Sequence, residues 1–200
     1  MLVTASCLFL SATWSCQNDS SPPAPREPLA GELVINEFLA APTSDANLDG
    51  MISSSQDEFI ELVSTVENTL DLAGVTVYVG TGGTTLRHSF PATTSLAPHQ
   101  AAVVFGGVIG GGAPSLPVPA QVVVQTASSG MLALADTGAT IEVRNKAGLA
   151  IDSVTYGPAT SNVSRNRDPE LTGSFVDSTA IVGSVGDYSP GTKANGSYFH

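Results

Sequence analysis

The sequence predicts an all-β fold, a sandwich of about eight or nine short strands, and three observations support this prediction. Only 12% of the 200 residues are charged, whereas the chain holds 20 glycines and 13 prolines, residues that form turns. Short alternating runs of apolar and polar residues recur roughly every ten residues between these turns. No helical period separates one strand from the next, which argues against a parallel α/β fold.

Each predicted strand is a short alternating run bounded by turn residues. These runs are residues 32–39, 58–63, 75–79, 87–91, 101–105, 121–125, 132–134, 140–144 and 151–156. The last two flank Asn145-Lys146-Ala147-Gly148 and therefore predict a hairpin. Between the strands, Gly106 to Pro119 contains five glycines and three prolines, which predicts a long, mobile loop.

The first 30 residues predict an export signal followed by a tether. Met1 to Trp14 is an apolar run too short to span a bilayer as a helix, and a polar segment follows it. Residues 17–30 have four prolines and no apolar period, which predicts a disordered tether rich in proline and serine. The predicted organisation is a signal peptide over 1–16, the tether over 17–30 and one β-sandwich domain over 31–200.

The junction at Cys16 is similar to that of bacterial lipoproteins. This resemblance implies cleavage before Cys16 and acylation of its side chain, although Thr13-Trp14-Ser15 departs from the residues usual before that cysteine. An unacylated signal peptide is the alternative. The other cysteine, Cys7, also lies in this leader, so the domain sequence offers neither a disulfide nor a cysteine metal ligand.

Oxygen-bearing side chains are concentrated between the first two predicted strands. Asp45, Asn47 and Asp49 stand at alternate positions before Gly50, which is the D-x-N-x-D-G opening of a calcium loop. The further candidate ligands are the Met51 carbonyl, Ser53, Asp57 and Glu58. Gln56 occupies the twelfth position, where such a loop carries a bidentate glutamate. The sequence therefore predicts a weak calcium site, with a turn held by its own Asn and Asp side chains as the alternative.

The charge balance bears on possible partners. The chain has 18 acidic and 7 basic residues, and its net charge of −11 repels a phosphate backbone. No run of Lys and Arg offers a basic patch. We therefore expect no nucleic-acid partner.

Seven short motifs occur in the order in which the lamin tail domain carries them. They are Leu33-Val34-Ile35-Asn36-Glu37, Asp57-Glu58-Phe59-Ile60-Glu61-Leu62, Leu70-Asp71-Leu72-Ala73-Gly74-Val75, Thr137-Gly138-Ala139-Thr140-Ile141-Glu142-Val143, Ile151-Asp152-Ser153-Val154-Thr155-Tyr156, Ser164-Arg165-Asn166-Arg167-Asp168 and Ser189-Pro190-Gly191-Thr192. The chain resembles this family over most of Gly31 to Phe199. The resemblance implies an immunoglobulin-like β-sandwich and no reaction. Bacterial members often carry a D-x-N-x-D-G loop, and Val75 stands here in place of the usual Trp.

Taken together, these features predict a non-catalytic binding or structural module. It is expected at the outer membrane or cell surface as a lipoprotein, or otherwise secreted, with a surface protein or polysaccharide of unknown identity as partner. The lipid anchor would bind the membrane. Two alternatives are a hydrolase that uses strand carboxylates and a nucleic-acid binder by analogy with lamins.

The remaining candidate side chains are expected on the surface. Glu37, Glu58 and Glu61 could form a carboxylate pair of the glycosidase kind, but solvent-facing strand positions are the expected location. His88 and His99 have no partner motif nearby, so both are expected to be surface residues.

Overall fold

The computed structural model describes residues 23–200. Within this range the chain forms twelve β-strands and one short 3₁₀ turn. The strands are β1 (Leu33–Leu39), β2 (Phe59–Ser64), β3 (Leu70–Asp71), β4 (Thr76–Gly80), β5 (Thr85–Ser89), β6 (Ser95–Leu96), β7 (Ala101–Phe105), β8 (Val123–Thr126), β9 (Ala139–Arg144), β10 (Ala150–Tyr156), β11 (Arg165–Asp168) and β12 (Ser174–Asp177). The 3₁₀ turn spans Ser178–Ala180. The predicted signal peptide and Cys16 lie outside the described residues.

Two sheets pack face to face and confirm the predicted all-β sandwich. The larger sheet has six strands in the order β12-β11-β1-β2-β7-β8, and the smaller has four in the order β10-β9-β4-β5. Strands β3 and β6 form a separate pair. The β7–β8 pairing is parallel, whereas the other strand pairs are antiparallel.

The strand predictions fail where a run is very short or locally strained. Three strands had no predicted counterpart, namely β3, β6 and β12, which are two to four residues long and show almost no periodicity. The predicted strand at 132–134 does not form, because Ala133 has a positive φ of 53° that breaks an extended run. The predicted hairpin forms as β9 and β10.

The inner faces of the two sheets share one apolar core. Ile35 and Ile60 of the six-stranded sheet and Val77 and Ile141 of the four-stranded sheet belong to the same buried cluster. Val75, which stands in place of the family's Trp, is also fully buried there. Alternation therefore fills the space between the sheets as the sequence predicts.

The outer face of the six-stranded sheet is buried as well, which alternation does not predict. All residues of β1, β2 and β7 are buried, although a strand has side chains on both faces. A second apolar cluster lies on this outer face and includes Leu39, Phe59 and Phe105. Two irregular stretches cover it, the loop between β7 and β8 and the C-terminal segment, defined here as residues 185–199.

The loop between β7 and β8, predicted to be mobile, is anchored at several points. Asn47 Nδ2 donates a hydrogen bond to the Gly107 carbonyl (2.9 Å), and the Ser115 N–H donates to the Asn47 carbonyl (2.9 Å). Leu116 and Val118 pack against the outer cluster. These contacts hold the β7–β8 loop across the sheet. They place it next to the oxygen-rich loop, defined as residues 45–58 between β1 and β2.

The folded region begins before the predicted domain boundary at residue 31. Arg26 forms a β-bridge with Leu70, and its guanidinium makes a bidentate ion pair with Glu32 (2.6 and 2.7 Å). Pro28 is buried. Residues 26–30, which fall in the predicted tether, therefore contact the domain. Within residues 23–200, no helix is long and apolar enough to cross a membrane.

The close approach of Gly106 to the oxygen-rich loop gives a first testable prediction. A Cβ at position 106 would overlap the Ser55 carbonyl oxygen, which is backbone and cannot rotate away. We expect Gly106→Ala to lower the free energy of unfolding by about 1–3 kcal/mol, measured by urea denaturation. Gly112→Ala is the matched control, because a Cβ there meets no atom within 4 Å. Equal stability of the two variants would contradict the packing argument.

Candidate functional site

The oxygen-rich loop between β1 and β2 folds around its own side chains. The Asp45 carboxylate accepts hydrogen bonds from the backbone N–H groups of Asp49 (3.1 Å) and Gly50 (2.8 Å). Asn47 Oδ1 accepts from the same Asp49 N–H (2.9 Å), and Asp49 Oδ1 accepts from the Met51 N–H (2.8 Å). Gly50 has a φ of 91°, a conformation that suits glycine. The three predicted ligands of the first half thus belong to one tight turn.

Asp57 closes this loop from its other end. Its Oδ1 accepts hydrogen bonds from the N–H groups of Ala46 (2.9 Å) and Asn47 (3.1 Å). Its Oδ2 accepts from the Ser53 N–H (2.7 Å). Burial raises the pKa of Asp57 above its ordinary value, while these bonds act in the opposite direction. Asp57 therefore joins the loop as a buried hydrogen-bond acceptor.

Glu58 turns away from the loop. Its carboxylate is stabilised by the backbone N–H groups of Ala133 and Leu134, which precede β9. Burial is the main effect on Glu58 and raises its pKa to about 8. Its Oε2 atom has no hydrogen-bond partner among the described residues. The structure does not bring Glu58 together with the predicted calcium ligands.

The donor set of the loop fits a hard cation only in its first half. A carboxylate oxygen that accepts one N–H keeps a second lone pair, so Asp45 and Asp49 retain acceptor capacity. The twelfth position holds Gln56, and Glu58 does not replace it. Among residues 23–200, no three Asp, Glu, His or Cys side chains are grouped as metal ligands. Hydrogen bonds hold the loop as described, and calcium stays a prediction.

A second polar cluster lies on the outer face of the six-stranded sheet. Glu37 on β1 and Glu61 on β2 are register partners in the antiparallel ladder, and both are 0% exposed. Side chains paired in this way share a face, with Cβ atoms about 5 Å apart. The expectation that Glu37, Glu58 and Glu61 face solvent is wrong: Glu58 is buried too, and the C-terminal segment covers the other two.

The C-terminal segment supplies hydrogen bonds to both carboxylates. Glu37 Oε1 accepts from the Ser189 N–H (2.8 Å) and the Ser164 hydroxyl (2.6 Å). Glu37 Oε2 accepts from the Ser189 hydroxyl (2.8 Å). Glu61 Oε2 accepts from the Gly191 N–H (2.7 Å). The motif Ser189-Pro190-Gly191-Thr192 therefore docks directly onto the carboxylate pair.

A third carboxylate, that of Glu170, is connected to the pair through Asn36. The Asn36 amide donates to Glu61 Oε1 (3.0 Å) and to Glu170 Oε2 (2.7 Å). Glu170 Oε1 accepts from the Ala194 N–H (2.7 Å), also in the C-terminal segment. One buried amide thus bridges two carboxylates beneath this segment.

The environment of the pair favours its protonated form. Burial raises the pKa of Glu37 to about 7, although three donors on its oxygens oppose this shift. Burial also raises the pKa of Glu61 well above its ordinary value, and the facing Glu37 adds to the shift. Two like charges that face each other without water are costly. The pair therefore titrates as a unit, and one of the two carboxylates holds a proton near neutral pH.

The two internal histidines have different environments. His88, expected at the surface, is 2% exposed and packs edge-on against Phe90 at 4.5 Å between ring centroids. Burial lowers its pKa to about 4. His99 Nε2 lies 3.0 Å from the Glu67 carboxylate. His88 is thus a core residue, because the alternation of β5 directs it inward.

Arginines 165 and 167 are held by carboxylates of neighbouring strands. Arg165 lies 3.0 Å from Asp177, and Arg167 lies 3.3 Å from Asp152. The Arg167 guanidinium also stacks over the Phe175 ring at 4.6 Å. Neither side chain is free to serve as an anion-binding group.

The comparisons with known proteins agree with the motif order. The family model described as Lamin Tail Domain matches residues 27–158, more than half of the chain. The chain belongs to the lamin tail domain family. A search of curated proteins finds no match. The family fold is immunoglobulin-like, as the sandwich of the present lamin tail domain is.

Sequence reasoning missed the polar residues that complete the outer face of this lamin tail domain. These residues are Ser164, Asn166, Glu170, Ser189 and Gly191. They all lie beyond residue 158, outside the family match. A usable signal was the apolar pair Phe59 and Val63, which flanks Glu61 on the same strand face and indicates a covered face.

The shifted pKa values predict how the stability of this lamin tail domain depends on pH. Glu37 and Glu58 have folded-state pKa values above 4.5, so their contribution is complete below pH 4.5 and is lost as pH rises to about 7 and 8. His88 acts in the opposite sense, because its pKa falls from 6.5 to about 4. Because two carboxylates oppose one histidine, the carboxylates determine the direction of the pH dependence. We expect the melting temperature to be roughly 5 °C or more higher at pH 5.5 than at pH 8.

Scanning calorimetry at the two pH values measures this difference. Glu58→Gln should reduce it, since the amide does not titrate. A melting temperature that rises from pH 5.5 to pH 8 would contradict the assigned direction.

Proposed function

We propose that this lamin tail domain is a non-catalytic binding or structural module displayed at the cell surface. In this proposal, Cys16 is acylated and anchors the chain in the outer membrane, and residues 17–25 hold the domain away from the bilayer. Release of the unacylated chain by secretion is the alternative form of the same proposal. The expected partner is a surface protein or a polysaccharide, recognised by the loops of the sandwich.

The main support for this proposal is that every carboxylate considered for catalysis is buried. Glu37 and Glu61 are 0% exposed, and Glu58 is 4% exposed, so a substrate has no path to any of them. General acid–base catalysis requires such a group within hydrogen-bond reach of the substrate. The family to which the domain belongs is also non-enzymatic. These facts favour binding over the hydrolase alternative.

The charges disfavour the nucleic-acid alternative. The net charge of −11 opposes phosphate binding. Several arginines of the described chain are already paired with carboxylates: Arg26 with Glu32, Arg144 with Glu142, Arg165 with Asp177 and Arg167 with Asp152. These guanidinium groups would have to break ion pairs before they could contact a phosphate.

The lipid anchor is tested by replacing Cys16, whose sulfur atom would carry the acyl chain. We expect native protein to partition into the detergent phase, and Cys16→Ser protein to appear in the aqueous phase or to accumulate unprocessed. Cell fractionation and mass spectrometry of the mature N-terminus measure both outcomes. Cys7→Ser is the matched control and should leave partitioning unchanged. Equal membrane association of all three proteins would overturn the anchor.

We further propose that the oxygen-rich loop binds calcium weakly. Asp45, Asn47 and Asp49 would hold the ion, with the Met51 carbonyl and Ser53 as further ligands. The hydrogen bonds already formed inside the turn support this proposal, because they place three side-chain oxygens around one Gly-containing bend. The ion would neutralise the negative charges of the loop carboxylates and would take no part in a reaction. Asp57, bound by three N–H groups, would act by shaping the loop.

Calcium binding is expected to stabilise the domain. Extracellular calcium modules have dissociation constants of about 10⁻⁴ to 10⁻³ M, and a concentration ten times higher than this constant adds roughly 1.4 kcal/mol. We expect the melting temperature to rise by a few degrees in millimolar calcium relative to chelator, and Asp49→Ala to abolish the rise.

The control for this measurement is Ser54→Ala. Ser54 is an exposed residue of the same loop and is not a predicted ligand, so the calcium shift should persist in that variant. Magnesium at the same concentration should have a smaller effect, because it dehydrates reluctantly. Identical melting of the wild type in calcium and in chelator would show that the loop is only a hydrogen-bonded turn.

A further inference from the structure

Four of the hydrogen bonds that dock the C-terminal segment are donated to carboxylates. Ser189 donates twice to Glu37. Gly191 donates to Glu61, and Ala194 donates to Glu170. The segment also contributes Phe199 and the partly buried Tyr188 to the outer apolar cluster. The state of these carboxylates therefore bears directly on whether the segment stays docked.

No cation among the described residues compensates the pair. The charged groups that influence the two pKa values are acidic, namely Glu170 for Glu37, and Glu37 and Glu170 for Glu61. On the segment itself, the Lys193 ammonium lies over the Phe199 ring at 5.8 Å, and Asp187 accepts from Asn162. The nearby arginines of β11 bind Asp177 and Asp152. Tyr188 shares a hydrogen bond with Ser44.

We propose that the Glu37–Glu61 pair is a proton-operated latch. The pair docks the C-terminal segment while it holds a proton, and it releases the segment when both carboxylates ionise. Release lets water hydrate both ionised carboxylates, a state that is costly while the docked segment excludes water from them. The Glu170 carboxylate, which Asn36 bridges to Glu61, lies beneath the same C-terminal segment and adds a third acidic group there.

Linkage fixes the direction and size of the effect. The docked state binds the proton more tightly than the open state, in which the carboxylates are hydrated, so rising pH favours the open state. One released proton changes the opening equilibrium about tenfold per pH unit. The pKa of Glu37 alone, raised from 4.5 to about 7, corresponds to a change of about 300-fold across that range.

Opening of the latch would uncover the part of the outer apolar cluster that lies under the C-terminal segment, while the loop between β7 and β8 covers the rest. Phe59, Val63, Val103 and Phe105 lie on the sheet face beneath the covering stretches. The inner core between the sheets is a separate cluster and does not depend on the segment. The latch is therefore a local opening of one face, and the sandwich itself persists.

Hydrogen exchange of the full chain tests the latch. Protection factors of the Ser189, Gly191 and Ala194 amides, corrected for the intrinsic pH dependence of exchange, report opening of the segment. In the wild type, we expect these protection factors to lie below those of the β7 amides. Because both carboxylates release protons on opening, the protection factors should fall by more than tenfold per pH unit between pH 5 and pH 7. A hydrophobic dye should bind more strongly at the higher pH.

Three variants separate the latch from a general effect of pH. In Glu37→Gln, the amide oxygen can accept from Ser189 and the NH₂ group can donate to the Ser189 hydroxyl, so docking is preserved while one titrating group is lost. This variant should show a shallower pH dependence, and Glu37→Gln/Glu61→Gln should show none. Glu58→Gln removes a buried carboxylate elsewhere and should leave the segment's pH dependence intact.

Two results would overturn the latch. One is protection of the segment that does not change with pH in the wild type. The other is protection equal to that of β7 at every pH, which would mean that the segment exchanges only by global unfolding. If the double variant fails to fold, the single variant decides the question, because an unchanged slope in Glu37→Gln also overturns the proposal.

Discussion

The constraint that the rest of this structure depends on is the burial of two facing carboxylates in the middle of a sheet. Glu37 and Glu61 lie on the outer face of β1 and β2, where a sandwich normally meets water. An uncompensated buried carboxylate is costly, so the pair needs hydrogen-bond donors around it. Those donors are Asn36 on β1, Ser164 immediately before β11, and Ser189 and Gly191 of the C-terminal segment, which closes one side of the domain.

This constraint explains which parts of the fold could be predicted from the sequence. The inner face follows from alternation, and Ile60, Leu62, Val77 and Val79 are buried as their spacing predicts. Alternation also assigns Glu61 to the opposite face correctly. It cannot say what covers this face, because the donors to Glu61 include a residue more than 100 positions away, in a segment with no regular period.

The oxygen-rich loop shows the same limit at a smaller scale. The spacing of Asp45, Asn47 and Asp49 predicts a turn with converging oxygens, and the turn forms. The positions of Asp57 and Glu58 one after the other suggest that both could reach it. Both residues precede β2 and their side chains take different directions, so only Asp57 bonds the loop, whereas Glu58 lies near Ala133 and Leu134. A ligand list read from spacing alone cannot separate two such neighbours.

The contacts of Arg26 have a mechanical consequence for a chain held at its N-terminus. In the proposed anchored form, tension from the N-terminal side would reach the domain first at Arg26, whose N–H donates to the Thr69 carbonyl and whose carbonyl accepts from the Asp71 N–H of β3. The next connection is the ion pair with Glu32, immediately before β1. The Arg26–Leu70 bridge at the edge of the domain would therefore bear the force before strand β1 does. The first bonds to yield would lie outside the core, and their loss would lengthen the proposed tether without opening the sandwich.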